Sequence, residues 1–202
     1  MLRHIYHSGI VTVLNSASSQ PLQLWATARG EGGHVAVEED DDEVDGPVLC
    51  LRSADLQHTF VCIPRSAGET LGIKLPFLVM VVKNTGHLFG FEAEVADSCG
   101  AVRRLRPANY EAEAHIGNDV ARLPLRLDDG WNYLTFDLAR ITAQAYGTQF
   151  REARRVTIHA SACLRLVLFA DRVVPEEELP RELRLHRKRN GGLAASSPAK
   201  CF

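Results

Sequence analysis

The sequence predicts an all-β protein, an antiparallel β-sandwich or jelly roll with one or two short helices. Apolar and polar residues alternate with a period of two in many short segments, turn residues separate these segments, and only two stretches have helical signals. The chain has 202 residues, of which 46% are hydrophobic, and this is enough to enclose one core. We therefore predict a single domain over residues 1–185 with an acidic loop at 38–46. The basic segment 186–202 should form a mobile tail, because it ends in a stretch rich in glycine, serine and alanine.

The clearest strand is entered through a proline. The apolar run at residues 71–84 contains Pro76 and is bracketed by lysines. Because proline lacks an N–H donor and fixes its own φ, Pro76 belongs at the first position of a strand or on an edge. We therefore predict that residues 77–82 are the paired, buried segment. The run is too short to cross a membrane.

Two hairpins are predicted from alternating segments that turn residues join. In the first, residues 89–96 alternate, 97–100 supply a turn, and 101–106 are extended again. In the second, residues 123–127 alternate up to an Asp-Gly turn, and alternation resumes at 134–138. Further strands are predicted at residues 11–14, 22–25, 48–51, 59–63, 156–160 and 164–169.

Two short helices are predicted from their terminal residues. Asp137 can cap a helix that has Leu138, Ile141 and Ala145 at helical spacing, and Gly147 is placed to end it in the left-handed conformation. At residues 175–179 a proline precedes glutamates that suit the positive end of the helix dipole, but the next proline limits this helix to about one turn.

Charge and cysteine content argue against several classes of function. The formal net charge is only -2, so no overall field draws the protein to nucleic acid or to an anionic membrane. The five cysteines are an odd set without a C-x-x-C pair, which argues against a disulfide framework or a zinc ribbon and favours a reducing cytosolic setting. The first residues lack the apolar segment of a signal peptide, and no N-x-S/T acceptor occurs.

No motif predicts a metal, a cofactor or a catalytic residue. The acidic run at 38–45 resembles a calcium loop, but in a loop counted from Asp41 the twelfth position, where a bidentate glutamate is required, is Arg52. Asp128 and Asp129 are adjacent, so their carboxylates would point in opposite directions, whereas the carboxylates of a glycoside hydrolase face each other. The sequence has no histidine cluster and no nucleophile elbow. These patterns therefore give a metalloenzyme, a glycoside hydrolase or a serine hydrolase little support.

Cationic side chains are the residues best suited to bind a partner, because a guanidinium fork binds carboxylates in a defined geometry. Two interpretations remain open: these side chains contact an acidic partner surface, or they only protect a sheet edge from unwanted pairing. Trp25 and Trp131 are predicted to be buried core residues rather than interface residues. The candidate contact residues are Lys83, Arg103, Arg104, Arg106, Arg122 and Arg126.

Several motifs resemble one protein family. They lie at residues 7–9, 21–25, 71–84, 103–106, 109–110, 126–132, 145–148, 155–172 and 178–180. By these motifs the chain is similar to the cilia- and flagella-associated protein 20 family, which builds the inner junction of axonemal doublet microtubules. The similarity covers nearly everything before the tail. The chain departs from the family pattern in the acidic loop, in the extended tail, and at Cys163, where family members tend to be basic.

This resemblance implies both a fold and a function. The fold would be a jelly-roll sandwich like that of carbohydrate-binding modules, without catalysis or a cofactor. The protein would lie in the axoneme of a cilium or flagellum, or at its basal body, and would join the B-tubule to the A-tubule in support of motility. Its implied partners are α-tubulin, β-tubulin, the Parkin co-regulated protein, enkurin and a WD-repeat protein of the tubule lumen. Motif positions that would support the fold are Trp25, Gly72, Pro76, Phe77, Gly130, Trp131, Tyr146 and Gly147.

Two functions of other classes remain open. A sandwich with an exposed Trp25 or Trp131 would suit a glycan, and the basic cluster at 184–189 would suit nuclear targeting or nucleic acid. Because tubulin is acidic, the resemblance instead favours contact through the arginines, with the acidic loop pointing away from tubulin. We therefore expect neither a nucleic acid nor a membrane as partner.

Overall fold

The computed structural model describes residues 6–7, 9–39, 43–188 and 200–201. This part of the chain contains two β-sheets, one α-helix, α1 (Leu138–Tyr146), and two 3₁₀ turns, Glu176–Glu178 and Arg181–Leu183. The strands are β1 (Tyr6–His7), β2 (Ile10–Asn15), β3 (Ala26–Ala28), β4 (His34–Glu38), β5 (Val48–Arg52), β6 (Phe60–Ile63), β7 (Phe77–Asn84), β8 (Phe91–Asp97), β9 (Val102–Ala108), β10 (His115–Ile116), β11 (Val120–Pro124), β12 (Gly130–Asp137), β13 (Phe150–His159), β14 (Ala162–Ala170) and β15 (Lys200–Cys201).

The two sheets pack face to face. The eight-stranded sheet has the order β1-β2-β14-β7-β12-β15, and β4 joins it through β5, which pairs with β14. The seven-stranded sheet has the order β10-β11-β9-β8-β13-β6-β3. Within the described residues the pairings are antiparallel except β9 with β11 and β12 with β15. The predicted all-β sandwich is therefore confirmed.

The main core lies between the sheets. β7 begins directly after Pro76, as predicted, and lies between β14 and β12. Its Leu78 and Met80 are fully buried in the core. From the two sheets, Phe91 and Phe136 meet edge-on with 4.8 Å between their ring centroids. This alternation of core-facing and outward-facing side chains explains the period of two in the sequence.

One predicted hairpin is confirmed and the other is wrong. β8 and β9 pair in antiparallel register, with Ala96 opposite Val102. β11 and β12 do not pair with each other: β11 runs parallel to β9, and β12 pairs with β7 in the opposite sheet. Alternation identifies a strand but does not identify its neighbour. The segment between β11 and β12 crosses from one sheet to the other, and Asn132 Oδ1 accepts a hydrogen bond from Asp128 N there at 2.8 Å.

The predicted strand at residues 22–25 is also wrong. This segment forms consecutive turns, in which Gln23 N donates to Gln20 O at 3.1 Å and Trp25 N donates to Leu22 O at 3.0 Å. The strand begins only at Ala26. Backbone donors that are used within the segment are not available for pairing with a neighbouring strand, and this explains the difference.

Both predicted helical segments are confirmed. At the start of α1, Asp137 Oδ1 accepts a hydrogen bond from Arg140 N at 2.9 Å. At its end Gly147 has a φ of 67°, and its N–H donates to Ala143 O. The second segment is the single turn Glu176–Glu178, and its backbone is extended again before Pro180.

The arrangement of two cysteines corrects the expectation from the cysteine count. Cys50 on β5 lies opposite Cys163 on β14, and the two form a disulfide across 113 residues of sequence with 4.1 Å between their Cα atoms. The count and spacing argued against a disulfide framework, but sheet pairing brings together residues that are far apart in the chain. Cys62 and Cys99 are free thiols.

A C-terminal strap, residues 174–188, covers the outer face of the eight-stranded sheet. Val174 and Leu179 of the strap are buried in a second apolar cluster with Trp131 and Leu168 of the sheet. Tyr133 Oη donates to Val174 O at 2.7 Å, and burial raises the pKa of this phenol well above its usual value. The eight-stranded sheet is therefore buried on both sides where the strap lies.

The strap also pairs with the acidic loop. Asp45 N donates to His186 O and Lys188 N donates to Glu43 O, each at 2.8 Å. Residues 186–188, which the sequence assigned to the tail, are thus hydrogen-bonded to residues 43–45. Residues 40–42 of the loop and residues 189–199 and 202 of the tail lie outside the described residues, whereas tail residues 200–201 form β15 beside β12. The mobility expected for the tail stays a prediction for the residues that are not described.

Candidate partner-binding face

The outer face of the seven-stranded sheet carries arginines from two adjacent strands. On β9, Leu105 faces the core, so Arg104 and Arg106 on either side of it face outward. On β11, Ala121 faces the core, and Arg122 lies beside Arg106 in the parallel register. We call the surface formed by Arg104, Arg106 and Arg122 the arginine face.

A glutamate on β8 neutralises one of these cations. Arg106 Nε contacts a carboxylate oxygen of Glu92. Arg104 and Arg122 are exposed, and among the residues that the structure describes their guanidinium groups have no hydrogen bond or ion pair. These two arginines remain available to a partner.

The interpretation of these arginines as edge protection is wrong for β9. This strand lies between β8 and β11 and is therefore internal to the sheet. Charged residues block unwanted pairing only where a strand has an unpaired edge. Arg104 and Arg106 have no such edge to protect.

Arg103 is held in contacts within the protein. Its Nε donates to Asp97 Oδ2 at 2.9 Å, and its Nη1 lies 3.4 Å from Asp119 Oδ1. The guanidinium carbon lies 4.5 Å from the centroid of the Tyr146 ring, which is a cation–π contact. Arg103 therefore links the β8–β9 turn to the end of α1.

Asp97 is the partner that holds Arg103 in place. Its carboxylate is fully buried and accepts hydrogen bonds from Arg103, Ala101 N, Thr148 Oγ1 and Cys99 N. Burial alone would raise the pKa of Asp97, but these hydrogen bonds outweigh burial and lower the pKa below its ordinary value. The carboxylate is thus kept ionised opposite the guanidinium.

The remaining predicted contact residues lie elsewhere. Lys83 is on β7 beside Trp131, on the outer face of the eight-stranded sheet, and its Nζ lies 3.0 Å from Glu43 Oε1. Arg126 is exposed in the segment that joins β11 to β12. The fold thus gathers Arg104, Arg106 and Arg122 on one surface and separates Lys83 from them.

A cavity of about 350 Å³, which we call the notch, opens on the arginine face. Arg106 and Arg122 line it together with Tyr110, Glu111 and His159. Tyr110 is 54% exposed. An aromatic ring beside a free guanidinium in a concave site is the arrangement typical of an interface hot spot.

The wall of the notch is set by the loop that follows β9. Asn109 Oδ1 accepts a hydrogen bond from Phe89 N at 2.8 Å, and Asn109 Nδ2 donates to His87 O at 2.9 Å. A Cβ at Gly90 would lie 3.0 Å from Ala108 Cβ, so a larger residue there would require β9 to shift by a few tenths of an ångström. Asn109 and Gly90 therefore fix the position of Tyr110.

His159 closes the notch on the β13 side. Its Nδ1 lies 2.9 Å from Leu56 O, and since a carbonyl only accepts, Nδ1 carries the proton. Burial lowers the pKa of His159 below its ordinary value of 6.5. The ring is therefore neutral at neutral pH, and its Nε2 is an acceptor.

Sequence reasoning did not identify Tyr110, Glu111 or His159 as site residues. The pair Asn109 and Tyr110 was part of the family motif, and this was a usable signal for the first of the three. Nothing in the sequence indicates that His159, at the end of β13, lies near Arg122 on β11.

The motif positions expected to support the fold have definite structural roles. Trp25 is buried, with 2% of its surface exposed, and its Nε1 donates to Val13 O at 2.7 Å. Pro76 O accepts from Leu138 N, and the half-buried Phe77 begins β7. Trp131 is buried under the strap, and Tyr146 lies under Arg103. Positive φ angles, which favour glycine, occur at Gly72, Gly130 and Gly147.

The glycan alternative loses its main structural basis, and the described part of the basic cluster belongs to the strap. Trp25 and Trp131 are both buried, so neither ring can stack on a glycan from solvent. In the basic cluster, Arg184 Nε donates to Leu179 O at 2.6 Å and Arg187 forms a bridge with Val44. These contacts place the described part of the cluster in the strap.

Two other cavities lie away from the arginine face. One of about 360 Å³ is almost entirely apolar and lies between α1 and β11, where Leu123, Phe136 and Ile141 line it. Another of about 640 Å³ lies beside Pro64 and Leu71.

The described residues contain no group of three or more His, Cys, Asp or Glu side chains that could hold a metal ion. Among the same residues, no helix is long and apolar enough to span a membrane.

These features define a β-sandwich module with one sheet covered by its own chain and the other presenting free arginines. Residues 1–187 match the CFA20 domain. Proteins named cilia- and flagella-associated protein 20 from Caenorhabditis elegans, Paramecium tetraurelia and Chlamydomonas reinhardtii are 39%, 40% and 38% identical to the chain. The alignments cover 98%, 92% and 92% of this chain and 97%, 96% and 96% of those relatives. The chain therefore belongs to the CFA20 domain family.

Solved structures with a similar arrangement share little sequence with the chain. An exo-β-agarase superposes with a TM-score of 0.44 at 10% identity, over 83% of this chain and 25% of the agarase. A xylan-binding domain from CBM 22 superposes with a TM-score of 0.41 at 14% identity, over 84% of this chain and all (100%) of that domain. Similarity at this level supports no statement about ligand or activity.

Proposed function

We propose that this protein is a non-enzymatic structural component of the axoneme of cilia or flagella. At the inner junction of the doublet microtubule it would join the B-tubule to the A-tubule and so support motility. The observation that carries this proposal is the match to relatives named cilia- and flagella-associated protein 20 over nearly the full length of both chains. The structure adds a physical basis, because a sandwich with one covered face and one cationic face suits a fixed position in a larger assembly.

The arginine face would make the contact with α-tubulin and β-tubulin, which are acidic. Arg104 and Arg122 are the cations of this face that have no ion pair with another described residue. Each exposed ion pair with a partner carboxylate is worth about 0.2–1 kcal/mol, and salt screens such pairs over roughly 8 Å at physiological ionic strength. A single copy would therefore bind weakly.

Repetition along the doublet would make this weak contact durable. Copies held in a row by several neighbours experience a high effective concentration of each binding surface. The neighbours implied by the family are the Parkin co-regulated protein, enkurin and a WD-repeat protein. Simultaneous contact with several of them would convert individually weak interactions into a stable seam.

The position of the acidic loop is consistent with this orientation. The loop connects β4 to β5 of the eight-stranded sheet, and Glu43 pairs with Lys83 on the outer face of that sheet. The arginine face belongs to the other sheet. A tubulin surface on the arginine face would thus lie away from the loop, and like-charge repulsion between the two would be avoided.

Pelleting with doublet microtubules tests the proposal. Purified protein should sediment with doublets when the other inner-junction proteins are supplied, and Arg104→Glu with Arg122→Glu should abolish sedimentation. Arg181→Glu is the matched control, since Arg181 is an exposed arginine on the strap, across the sandwich from the arginine face. Absence of sedimentation for the unaltered protein under these conditions would refute the proposed function.

A further inference from the structure

Among the described residues that line the notch, Arg122 is the cation without an ion-pair partner. Arg106 also lines the notch, but Glu92 already contacts its Nε. Arg122 has no such partner among the described residues. Arg122 is exposed, but it lines a concave surface of about 350 Å³, and the low-dielectric walls of such a surface focus the field of a cation on an approaching anion.

We propose that the notch receives one carboxylate side chain, glutamate or aspartate, from the acidic surface of a partner protein, with Arg122 as its anchor. This inference rests on the proposed function and assigns one residue within the arginine face as the main determinant of binding. The guanidinium of Arg122 forms a charge-assisted pair with the carboxylate. The exposed Tyr110 ring packs against the methylene groups of the same side chain.

Charge on the notch sets its specificity. Glu111 lines the notch and has no ion pair among the described residues. Its carboxylate lies near the ligand that Arg122 binds, and it repels an acidic ligand there. Removal of this charge should therefore tighten binding of an acidic ligand, whereas the same change would weaken binding of a basic ligand.

Arg104 differs from Arg122 in its surroundings. It lies on the flat part of the arginine face, beside Val120 rather than beside another arginine, and it does not line the notch. An exposed pair on a flat surface contributes little because water and salt screen it. We expect Arg104 to assist attraction of the partner and Arg122 to hold it.

Binding of a labelled oligoglutamate peptide with an amidated carboxyl end tests the proposal, with fluorescence anisotropy as the readout. The full chain should bind this peptide and not the oligoglutamine counterpart. Arg122→Gln should weaken binding roughly tenfold, as expected for loss of a charge-assisted pair, and Tyr110→Ala should weaken it less. Glu111→Gln should strengthen it severalfold, and this variant keeps the test valid should Arg122→Gln fail to fold. Arg181→Gln on the strap is the matched control and should bind as the unaltered chain does.

Pelleting with doublets in parallel separates this inference from the proposed function. Equal binding of oligoglutamate and oligoglutamine, or unchanged binding after Arg122→Gln, overturns the role of the notch even where the protein still pellets. Weakened binding of oligoglutamate after Glu111→Gln also overturns it, because removal of a repelling carboxylate from the notch should tighten binding of an acidic ligand. Loss of oligoglutamate binding in Arg122→Gln, with tighter binding in Glu111→Gln, supports the notch whatever the pelleting shows.

Discussion

The guanidinium carbon of Arg103 lies over the ring of Tyr146, 4.5 Å from the ring centroid. The same guanidinium is paired with the fully buried Asp97, and only 17% of the Arg103 side chain is exposed. One side chain therefore joins three elements, the β8–β9 turn, the end of α1 and the loop before β11. This role differs from that of its neighbour Arg104, which faces solvent.

Substitution Arg103→Ala should destabilise the fold strongly. It leaves the buried Asp97 carboxylate without its cation, and breaking one side of a buried pair costs about 3–5 kcal/mol. The free energy of unfolding from urea denaturation measures this loss. Arg104→Ala, the control at the next position, should change it by less than about 0.5 kcal/mol. Equal effects of the two substitutions would contradict the structural role of Arg103.

The charge of Asp97 should appear in the pH dependence of stability. The pKa of Asp97 is lowered in the folded protein from an ordinary value of 3.8, so its contribution is complete above that pH. The contribution is lost as pH falls through the folded pKa, because the proton then binds to the folded state as well. Asp97→Asn should therefore be much less stable than the unaltered protein at neutral pH, and the difference should narrow below about pH 4. Thermal unfolding followed from pH 7 to pH 3 provides the measurement, and a difference that stays constant with pH would rule out this linkage.

The disulfide between Cys50 and Cys163 should contribute substantially to stability. It closes a loop of 113 residues, and the chain-entropy account assigns about 4–5 kcal/mol to a loop of this length. Urea unfolding with and without a dithiol reductant should show this difference. The double substitution of Cys50→Ala and Cys163→Ala should lower stability and remove the effect of the reductant.

Cys99→Ser is the control for this prediction. It changes an exposed free thiol, so it should leave both stability and reductant sensitivity intact. Identical unfolding curves with and without reductant would contradict the prediction.

Local signals in the sequence were sufficient for the elements that local interactions define. Pro76 predicts the start of β7, and Asp137 with Gly147 predicts both ends of α1, because caps and proline act within a few residues. Alternation on β9 could also have shown that Arg103 lies on one face of the sheet and Arg104 and Arg106 on the other, because successive side chains of a strand point to opposite faces.

The pairing of distant strands could not be predicted in the same way. The neighbour of Arg106 on the arginine face is Arg122, and this follows only from the parallel register of β9 and β11. The disulfide has the same origin, because Cys50 and Cys163 meet through the pairing of β5 with β14. A period of two reports which face a residue occupies but not which strand lies beside it.

The strap should be a cooperative part of the fold rather than an appendage. Leu179 is fully buried between the strap and the eight-stranded sheet, and Leu179→Ala should lower the free energy of unfolding by about 2–5 kcal/mol. Val173→Ala is the control just before the strap, because Val173 is 40% exposed and its loss should have little effect.

Fluorescence of the two tryptophans distinguishes local loosening of the strap from a general loss of stability. Trp131 lies under the strap, whereas Trp25 lies in the core between the sheets. In Leu179→Ala under native conditions, acrylamide should quench Trp131 more than in the unaltered protein, and the single-tryptophan variant Trp25→Phe isolates this signal. The companion variant Trp131→Phe, which retains Trp25, should show no change on addition of Leu179→Ala. Equal quenching of Trp131 with and without Leu179→Ala would mean that the sheet stays covered without this contact, and the strap would then owe its position to its hydrogen bonds with residues 43–45.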